Sequence, residues 1–294
     1  MKIGLKVFKG LGTRGLLNFL SSKKYIEIFW FLTYGKKINL KNPKTFNEKM
    51  QWLKLYDHNE EYCTMVDKSL VKKYVSKKIG SEYIIKTLWE GKKPENIPYD
   101  ELPNQYVIKC THGSHCSIIV KDKNTIDTNK INKKLKKWLS RNWFWYGREW
   151  VYKNLEPKII VEEYMEDNKD KELIDYKFDC FNGKPKIIDV CSKRYSKNEK
   201  MCENFYDTEW NLLPFKTKGL NINKELKPPK NLKKMLEICT KLSKNLKYIR
   251  VDLYEINNKI YFGELTFYSA NGYENWEPEE WNLKVGNYLN IERK

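Results

Sequence analysis

Residues 249–267 constrain this chain more than any other stretch. Two apolar runs, Ile249–Ile256 and Ile260–Phe267, alternate at period two, and Asn257-Asn258 lies between them. Asparagine tolerates the positive φ that a tight turn demands, so the stretch reads as a β-hairpin. Each strand carries an acid, Asp252 on the first and Glu264 on the second. Side chains alternate between the two faces, so register decides whether these acids can cooperate. A plain two-residue turn sets Asp252 against Gly263 and turns Glu264 to the other face. A longer loop or a bulge opposes Asp252 to Glu264, with Cβ atoms roughly 5 Å apart, and opposes Arg250 to Thr266. That second register gives a carboxylate pair with a cation beside it, a donor set able to hold Mg2+ against a phosphate chain. A solvated hairpin face is the plainer alternative.

The rest of the chain reads as helices first and short strands later. Residues 1–80 read as helical. Thr45-Phe46-Asn47-Glu48 has the form of a capping box ahead of Met50 and Leu53, and Asp67 opens a helix running to Val75. Tyr83–Leu88, Tyr106–Cys110, Ser117–Val120 and Ile159–Tyr164 read as strands, and Ile126–Leu139 as a basic amphipathic helix. Leu173–Phe181 and Lys186–Val190 flank Asn182-Gly183, a strong hairpin turn, and a helix over Leu232–Leu246 leads into the hairpin above. Strands paired around hairpins with helices between them predict an α+β fold with mainly antiparallel sheets. The expected division is an N-terminal helical region over 1–80, a smaller sheet-bearing subdomain over 81–161 and a larger one over 162–294.

Charge narrows the partners. The net charge is +18, and six Arg leave 56 − 6 = 50 Lys. Arg is the residue that reads bases and forks phosphates, so a Lys-rich, Arg-poor chain argues against nucleic acid and for other polyanions or an anionic membrane surface. Seven Cys without paired spacing suit a reducing compartment. The first 20 residues lack the continuous apolar core of a signal peptide, and no apolar run is long enough to span a bilayer. The expectation is a cytoplasmic protein, with the inner face of the membrane left open. Leu5, Phe8, Leu11, Leu16, Phe19 and Leu20, interspersed with Lys, fit either an interfacial helix or a helix covering another domain.

Several further stretches carry chemistry. Lys109-Cys110-Thr111-His112-Gly113-Ser114-His115-Cys116 lies between two strands, and a Gly-bearing polar turn exposes N–H groups that can cradle phosphates beside the Lys109 cation. The same stretch offers Cys110, His112, His115 and Cys116 as a zinc set, or forms an ordinary hairpin loop. Asp175, Lys177 and Asp179 share one face of a strand, with Lys177 suited to phosphate and Asp175 to ribose hydroxyls. Arg194 can grip a carboxylate or phosphoryl group with its fork. Trp138, Trp143, Phe144, Trp145, Tyr146 and Trp150 gather near Arg141 and Arg148, as core packing or as a stacking surface for sugars.

These pieces occur in a recognisable order. Arg250-Val251-Asp252 followed by Glu264-Leu265-Thr266 resembles the metal-binding end of the ATP-grasp fold, with Thr266 where that pattern has Asn and Asn271 as a substitute ligand. Asn42–Lys49, Leu53–Asp57, Tyr106–Cys110 with His112-Gly113-Ser114, Glu162-Glu163-Tyr164, Asp175–Phe178 with Cys180–Gly183, and Gly263–Phe267 precede or complete it. From about residue 38 to 281 the chain resembles the ATP-grasp family of teichuronopeptide-biosynthesis proteins from bacterial surface-polysaccharide clusters. The resemblance implies two α+β subdomains gripping ATP, the smaller bearing a phosphate flap and the larger a metal-binding hairpin. It implies ATP and Mg2+ as cofactors and carboxylate–amine ligation through an acyl phosphate. It places Asp252 and Glu264 on the metal, and Lys109, His112, Gly113, Ser114, Glu162, Glu163, Tyr164, Asp175 and Lys177 around the nucleotide. Arg250 and Arg194 become the catalytic residues. The implied substrates are a uronic acid or anionic glycan and an amine donor. A polysaccharide glycosyltransferase and a glycan-binding protein without turnover are the alternatives.

Overall fold

The computed structural model describes residues 2–167, 173–192, 201–217 and 226–292. The chain forms two compact units. The first comprises Met1–Ile38, Lys54–Lys73 and Ile85–Tyr164, and the second Asn39–Leu53, Tyr74–Ile84 and Met165–Lys294. Residues 1–80 are helical as expected, and their helices are divided between the two units. Short amphipathic helices cannot bury their stripes alone, so each joins the nearest sheet or helix.

The first unit opens with α1 (Lys2–Thr13) and α2 (Ser22–Tyr34). The Phe8 ring lies 4.8 Å from Tyr25 and 6.1 Å from Phe29. Ser21 Oγ accepts from Lys24 N to start α2, and Gly35, with φ at 70°, ends it. Next in the chain come α3 (Phe46–Tyr56), which belongs to the second unit as far as Leu53, α4 (Glu60–Val66) of the first unit, and α5 (Leu70–Ile79), which passes from the first unit to the second after Lys73. Strands β1 (Thr87–Gly91), β2 (Tyr106–Cys110) and β3 (Ser117–Val120), helices α6 (Thr128–Leu139) and α7 (Phe144–Gly147), and strand β4 (Ile159–Glu163) complete the unit. Its sheet runs β1-β4-β2-β3, antiparallel throughout. Tyr106, Ile108, Cys110, Ile159 and Val161 bury one face against Ile131, Leu135 and Trp138 of α6. Period two then sends Lys109, Ile160 and Glu162 to the other face.

The strand expected over Tyr83–Leu88 begins later. Ser81–Tyr83 is a short turn of helix, Ile84 bridges to Phe262, and only from Thr87 does the chain pair with β4. The apolar run Tyr83–Ile85 straddles the passage from the second unit to the first, so its pattern serves two sheets. The aromatic cluster is packing: the buried Arg148 guanidinium stands 4.4 Å from Tyr25, 4.6 Å from Trp145 and 5.3 Å from Phe144, and donates to Leu17 O at 2.8 Å.

The second unit holds β5 (Asp175–Phe181), β6 (Lys184–Ser192), β7 (Cys202–Tyr206), β8 (Lys216–Thr217), α8 (Leu232–Ser243), β9 (Tyr248–Ile256), β10 (Lys259–Thr266), β11 (Trp276–Glu277) and α9 (Glu280–Tyr288). Its five-stranded sheet runs β10-β9-β5-β6-β7, all antiparallel. Asn182 and Gly183 take φ of 48° and 83°, and Asn257 and Asn258 take 52° and 62°. Both are the left-handed pairs that a two-residue hairpin turn requires. Tyr176, Phe178, Cys180, Ile188, Val190, Val251 and Leu253 share one buried face, and α8 packs on these strands through Met235, Ile238, Cys239 and Leu242. Asp175, Lys177, Asp179, Asp189, Cys191, Glu203, Arg250 and Asp252 fall on the opposite face.

Candidate active site

In the second unit the hairpin takes the register that unites its acids. Ile256 pairs with Lys259 across the two-residue turn, and a bulge between Phe262 and Glu264 then advances β10 by one residue. Asp252 consequently faces Glu264, and Arg250 faces Thr266. Gly263 fits the bulge because a Cβ there would lie 3.0 Å from both Asp252 O and the Tyr254 ring. The Arg250 fork closes on Asp252, with Nε to Oδ1 and Nη2 to Oδ2 both at 2.7 Å, and Nη2 reaches Glu264 Oε1 at 3.4 Å.

Asp252 is buried, and burial pushes its carboxyl up to about 6; Arg250 opposes that rise and Glu264 adds to it. The pair thus carries more negative charge than one guanidinium cancels. Two opposed carboxylates with uncancelled charge fit a hard divalent cation such as Mg2+. Thr266 stands opposite Arg250 on this strand pair, and Asn271 lies in the left-handed turn Ser269–Gly272.

Across the sheet, Lys177 pairs with Asp252 on one side and Asp189 on the other. Its Nζ lies 2.6 Å from Cys191 Sγ and 3.6 Å from Asp189 Oδ2. Burial pushes the ammonium down, but Asp189, Cys191, Asp175 and Asp252 more than offset it and hold it above its ordinary range. Asp189, Cys191 and Glu203 bring ligand atoms within 4.8 Å of one another, and Thr217 Oγ1 donates to Glu203 Oε2 at 2.5 Å. The Lys177 ammonium already supplies this cluster with its cation. Asp175 is buried opposite Cys191. Asp179 faces Arg250, accepts a 2.5 Å bond from Tyr248 Oη, and is pushed up to about 7 by burial.

The first unit carries a second charged cluster, centred on Glu162. Lys72 Nζ meets Glu162 Oε1 at 2.5 Å and Lys109 Nζ meets Oε2 at 2.6 Å. Lys72 also donates to Ile85 O at 2.8 Å and Thr87 Oγ1 at 2.6 Å. Burial pushes the Glu162 carboxyl up, but the two ammoniums outweigh it and hold the group below its usual range. Glu163 and Tyr164 lie apart from this cluster. With Lys86, Leu88, Asn104 and Gln105 they line an open groove of about 640 Å³, where Glu163 N donates to Lys86 O at 3.0 Å.

The turn after β2 differs from a freely exposed phosphate loop. The His112 ring is buried, with Nε2 3.1 Å from Arg141 O and 3.3 Å from Trp138 O. Burial lowers its pKa, and the ring ties the turn to the end of α6 and the residues after it rather than being aimed at a phosphate. Gly113 touches the Trp143 indole so closely that a Cβ would overlap it, and its carbonyl accepts from Lys68 Nζ at 3.0 Å. Ser114 is half-buried at the turn's tip beside the exposed His115. Cys110, His112, His115 and Cys116 do not converge as a zinc set; among the described residues the group of three or more His, Cys, Asp or Glu that gathers closely enough to share an ion is Asp189, Cys191 and Glu203. Arg194 lies outside the described residues.

Sequence reasoning missed Lys72, Asp189, Glu203 and Tyr248. Asp189 had a signal, its place on the strand after Asn182-Gly183 at ladder distance from Lys177. Lys72 is one of many lysines on a helix and had none.

A family model for TupA-like ATP-grasp proteins matches residues 48–290. The chain belongs to this family, and its α+β architecture is the ATP-grasp fold. Among solved structures, D-alanine–D-alanine ligase from Bacillus anthracis with ATP is 18% identical with a TM-score of 0.39, covering 69% of this chain and 54% of that one. The Helicobacter pylori D-alanine–D-alanine ligase is 16% identical at a TM-score of 0.40, covering 84% and 70%. The ATP-grasp ligase PsnB with a phosphomimetic precursor variant, Mg and ADP is 10% identical at a TM-score of 0.43, covering 74% and 58%. The chain thus spans little more than half the length of the first and third of these proteins. No curated protein sequence matches it.

Proposed function

We propose that this protein is an ATP-dependent carboxylate–amine ligase that joins an amine or amino acid to a uronic-acid-type carboxylate of a bacterial surface glycan. The observation that carries the reading is the bulge before Glu264, which opposes it to Asp252 with Arg250 against both carboxylates. ATP supplies the phosphoryl group that makes the carboxylate an acyl phosphate, from which an amine displaces phosphate. Asp252 and Glu264 hold Mg2+, which supplies positive charge to phosphate oxygens. Arg250 releases part of its fork from Asp252 to stabilise the anionic tetrahedral centre formed as the amine attacks. Lys109, held by Glu162 beside Lys72, is assigned with Lys177 to phosphate oxygens. Glu163 and Tyr164 place backbone and side-chain groups beside a groove suited to a nucleobase, and Asp175 is assigned to the ribose. The net charge of +18 favours an anionic acceptor.

The test is ADP release with ATP and Mg2+ across glucuronic-acid-bearing glycans and a panel of amines, repeated with hydroxylamine. Glycan-dependent ADP with a trapped hydroxamate is the expected result. UDP release from UDP-sugars without ADP would move the protein to the glycosyltransferases. Glycan binding with neither ADP nor UDP release would support a glycan-binding role, and Mg2+-dependent ATP binding would count against it.

A further inference from the structure

The molecule has a basic apolar surface that the ligase reading does not use. In α1 one stripe, Leu5, Phe8 and Gly12, turns towards α2, where Phe8 meets Tyr25 and Phe29 and a Cβ on Gly12 would overlap the Tyr25 ring. Positions 3, 7, 10 and 14 lie on the opposite side of the helix. There Ile3 is 82% exposed and Val7 56% exposed. The turn into α2 adds Leu16 at 59% and Phe19 at 80%. Exposed aliphatic and aromatic side chains of this size, close together in sequence, mark a contact surface.

Charge indicates what they contact. Residues 1–38 contain seven Lys and one Arg against a single acid, Glu27, a net charge of 8 − 1 = +7. The remaining 256 residues carry 18 − 7 = +11. Glu27 is itself 3.9 Å from Lys24. Lys6, Arg14, Lys23 and Lys24 are exposed around the apolar side chains. Apolar groups at the centre of a basic surface complement acyl chains beneath anionic headgroups, because burial and charge attraction then add.

We propose that α1, the turn after it and the start of α2 dock on an anionic phospholipid membrane, with Ile3, Val7, Leu16 and Phe19 entering the interface and Lys6, Arg14, Lys23 and Lys24 facing the headgroups. No described helix is long and apolar enough to cross a membrane, so the association is peripheral and reversible.

The test is co-sedimentation of the full chain with phosphatidylcholine vesicles, with and without about one-third phosphatidylglycerol. The expected result is binding to the anionic vesicles alone, weakened by salt. Replacing Ile3 and Phe19 by Ser is expected to lower the partition coefficient about tenfold, and Lys23→Glu with Lys24→Glu to lower it comparably. Circular dichroism and the unfolding midpoint should match wild type in both variants, because the altered side chains are exposed. Equal binding by the apolar variant would overturn the proposal, since bulk charge alone would then explain it. So would failure to bind anionic vesicles, or a dimer in sedimentation velocity that Phe19→Ser dissociates, which would assign the surface to a second copy of the chain. Full competition by soluble polyglucuronate at low salt would assign the surface to glycan instead.

Discussion

The two sheets hold charge in opposite proportions. On the four-stranded sheet one carboxylate, Glu162, is shared by two ammoniums, Lys72 and Lys109. On the five-stranded sheet one guanidinium, Arg250, is shared by two carboxylates, Asp252 and Glu264. The titration behaviour follows. Glu162 is held below its ordinary range despite burial, whereas Asp252 rises to about 6 despite a bidentate partner. One cluster therefore retains positive charge and the other negative charge. Buried charge left uncancelled is costly, and a ligand of opposite sign relieves the cost. The first cluster suits phosphate oxygens and the second a divalent cation, so the imbalance in each predicts its ligand better than the residue types do.

Asp252→Asn should break the comparison most severely. It leaves one carboxylate facing Arg250 and removes the excess negative charge. Mg2+-dependent ADP release is expected to fall about 10³-fold, or about 4 kcal/mol of barrier, with the far-ultraviolet spectrum unchanged. If the variant keeps a tenth or more of wild-type turnover, the carboxylate pair is not the metal site.

Glu162→Gln tests the other cluster. Two half-buried ammoniums would face each other without their shared acid, at a cost of about 2 kcal/mol in urea unfolding at pH 7. The sign of the pH dependence is fixed. Glu162 has a lowered folded pKa against an ordinary 4.5, so its stabilisation is fully present above 4.5 and is lost as pH falls through the folded value. The gap between wild type and variant should therefore close in acid. A gap that persists unchanged at low pH would mean that packing, not ionisation, supports the cluster.

How much of this was legible depends on how local each determinant is. The turns at Asn182-Gly183 and Asn257-Asn258, and the period-two strands beside them, were readable because a few neighbouring residues set φ and face. The register of the last hairpin was not, since the alternation of β10 accommodates the bulge at Gly263 or its absence equally well. Lys72 was invisible because its partner is 162 − 72 = 90 residues away and Lys73, Lys77 and Lys78 lie on the same helix. His112 misled in another way: a polar residue before Gly113 resembles a phosphate contact, whereas its ring is buried against carbonyls at the end of α6 and just after it. β7 escaped because Cys202-Glu203-Asn204-Phe205-Tyr206 has neither clean alternation nor a turn signal before it.

Gly113→Ala should have a moderate effect. The added methyl overlaps the Trp143 indole, so the turn after β2 or the indole must move. A rise of about tenfold in the KM for ATP is expected, equivalent to about 1.4 kcal/mol. Adding Trp143→Ala should recover most of it, as a double-mutant cycle would record. Additive losses would place the fault elsewhere than in this contact.

Asp179→Asn is the mildest test and the sharpest on charge balance. Burial lifts Asp179 from 3.8 to about 7, against the pull of the Tyr248 hydroxyl and Arg250. Between those values the folded protein keeps a proton that the unfolded chain has released, so stability falls as pH rises through the interval. Asp252 has the same sign between 3.8 and about 6. The interval from 6 to 7 separates Asp179 from Asp252, and Glu149, also raised to about 7 by burial, contributes a slope of the same sign that is common to both proteins. Asn cannot ionise, and its amide oxygen can still accept from Tyr248 Oη. The variant should show a smaller slope than wild type in that interval and be more stable at pH 8 by on the order of 1 kcal/mol. An unchanged slope would mean that Asp179 is ionised well below 6, and that the five-stranded sheet tolerates its negative charge without needing a cation to offset it.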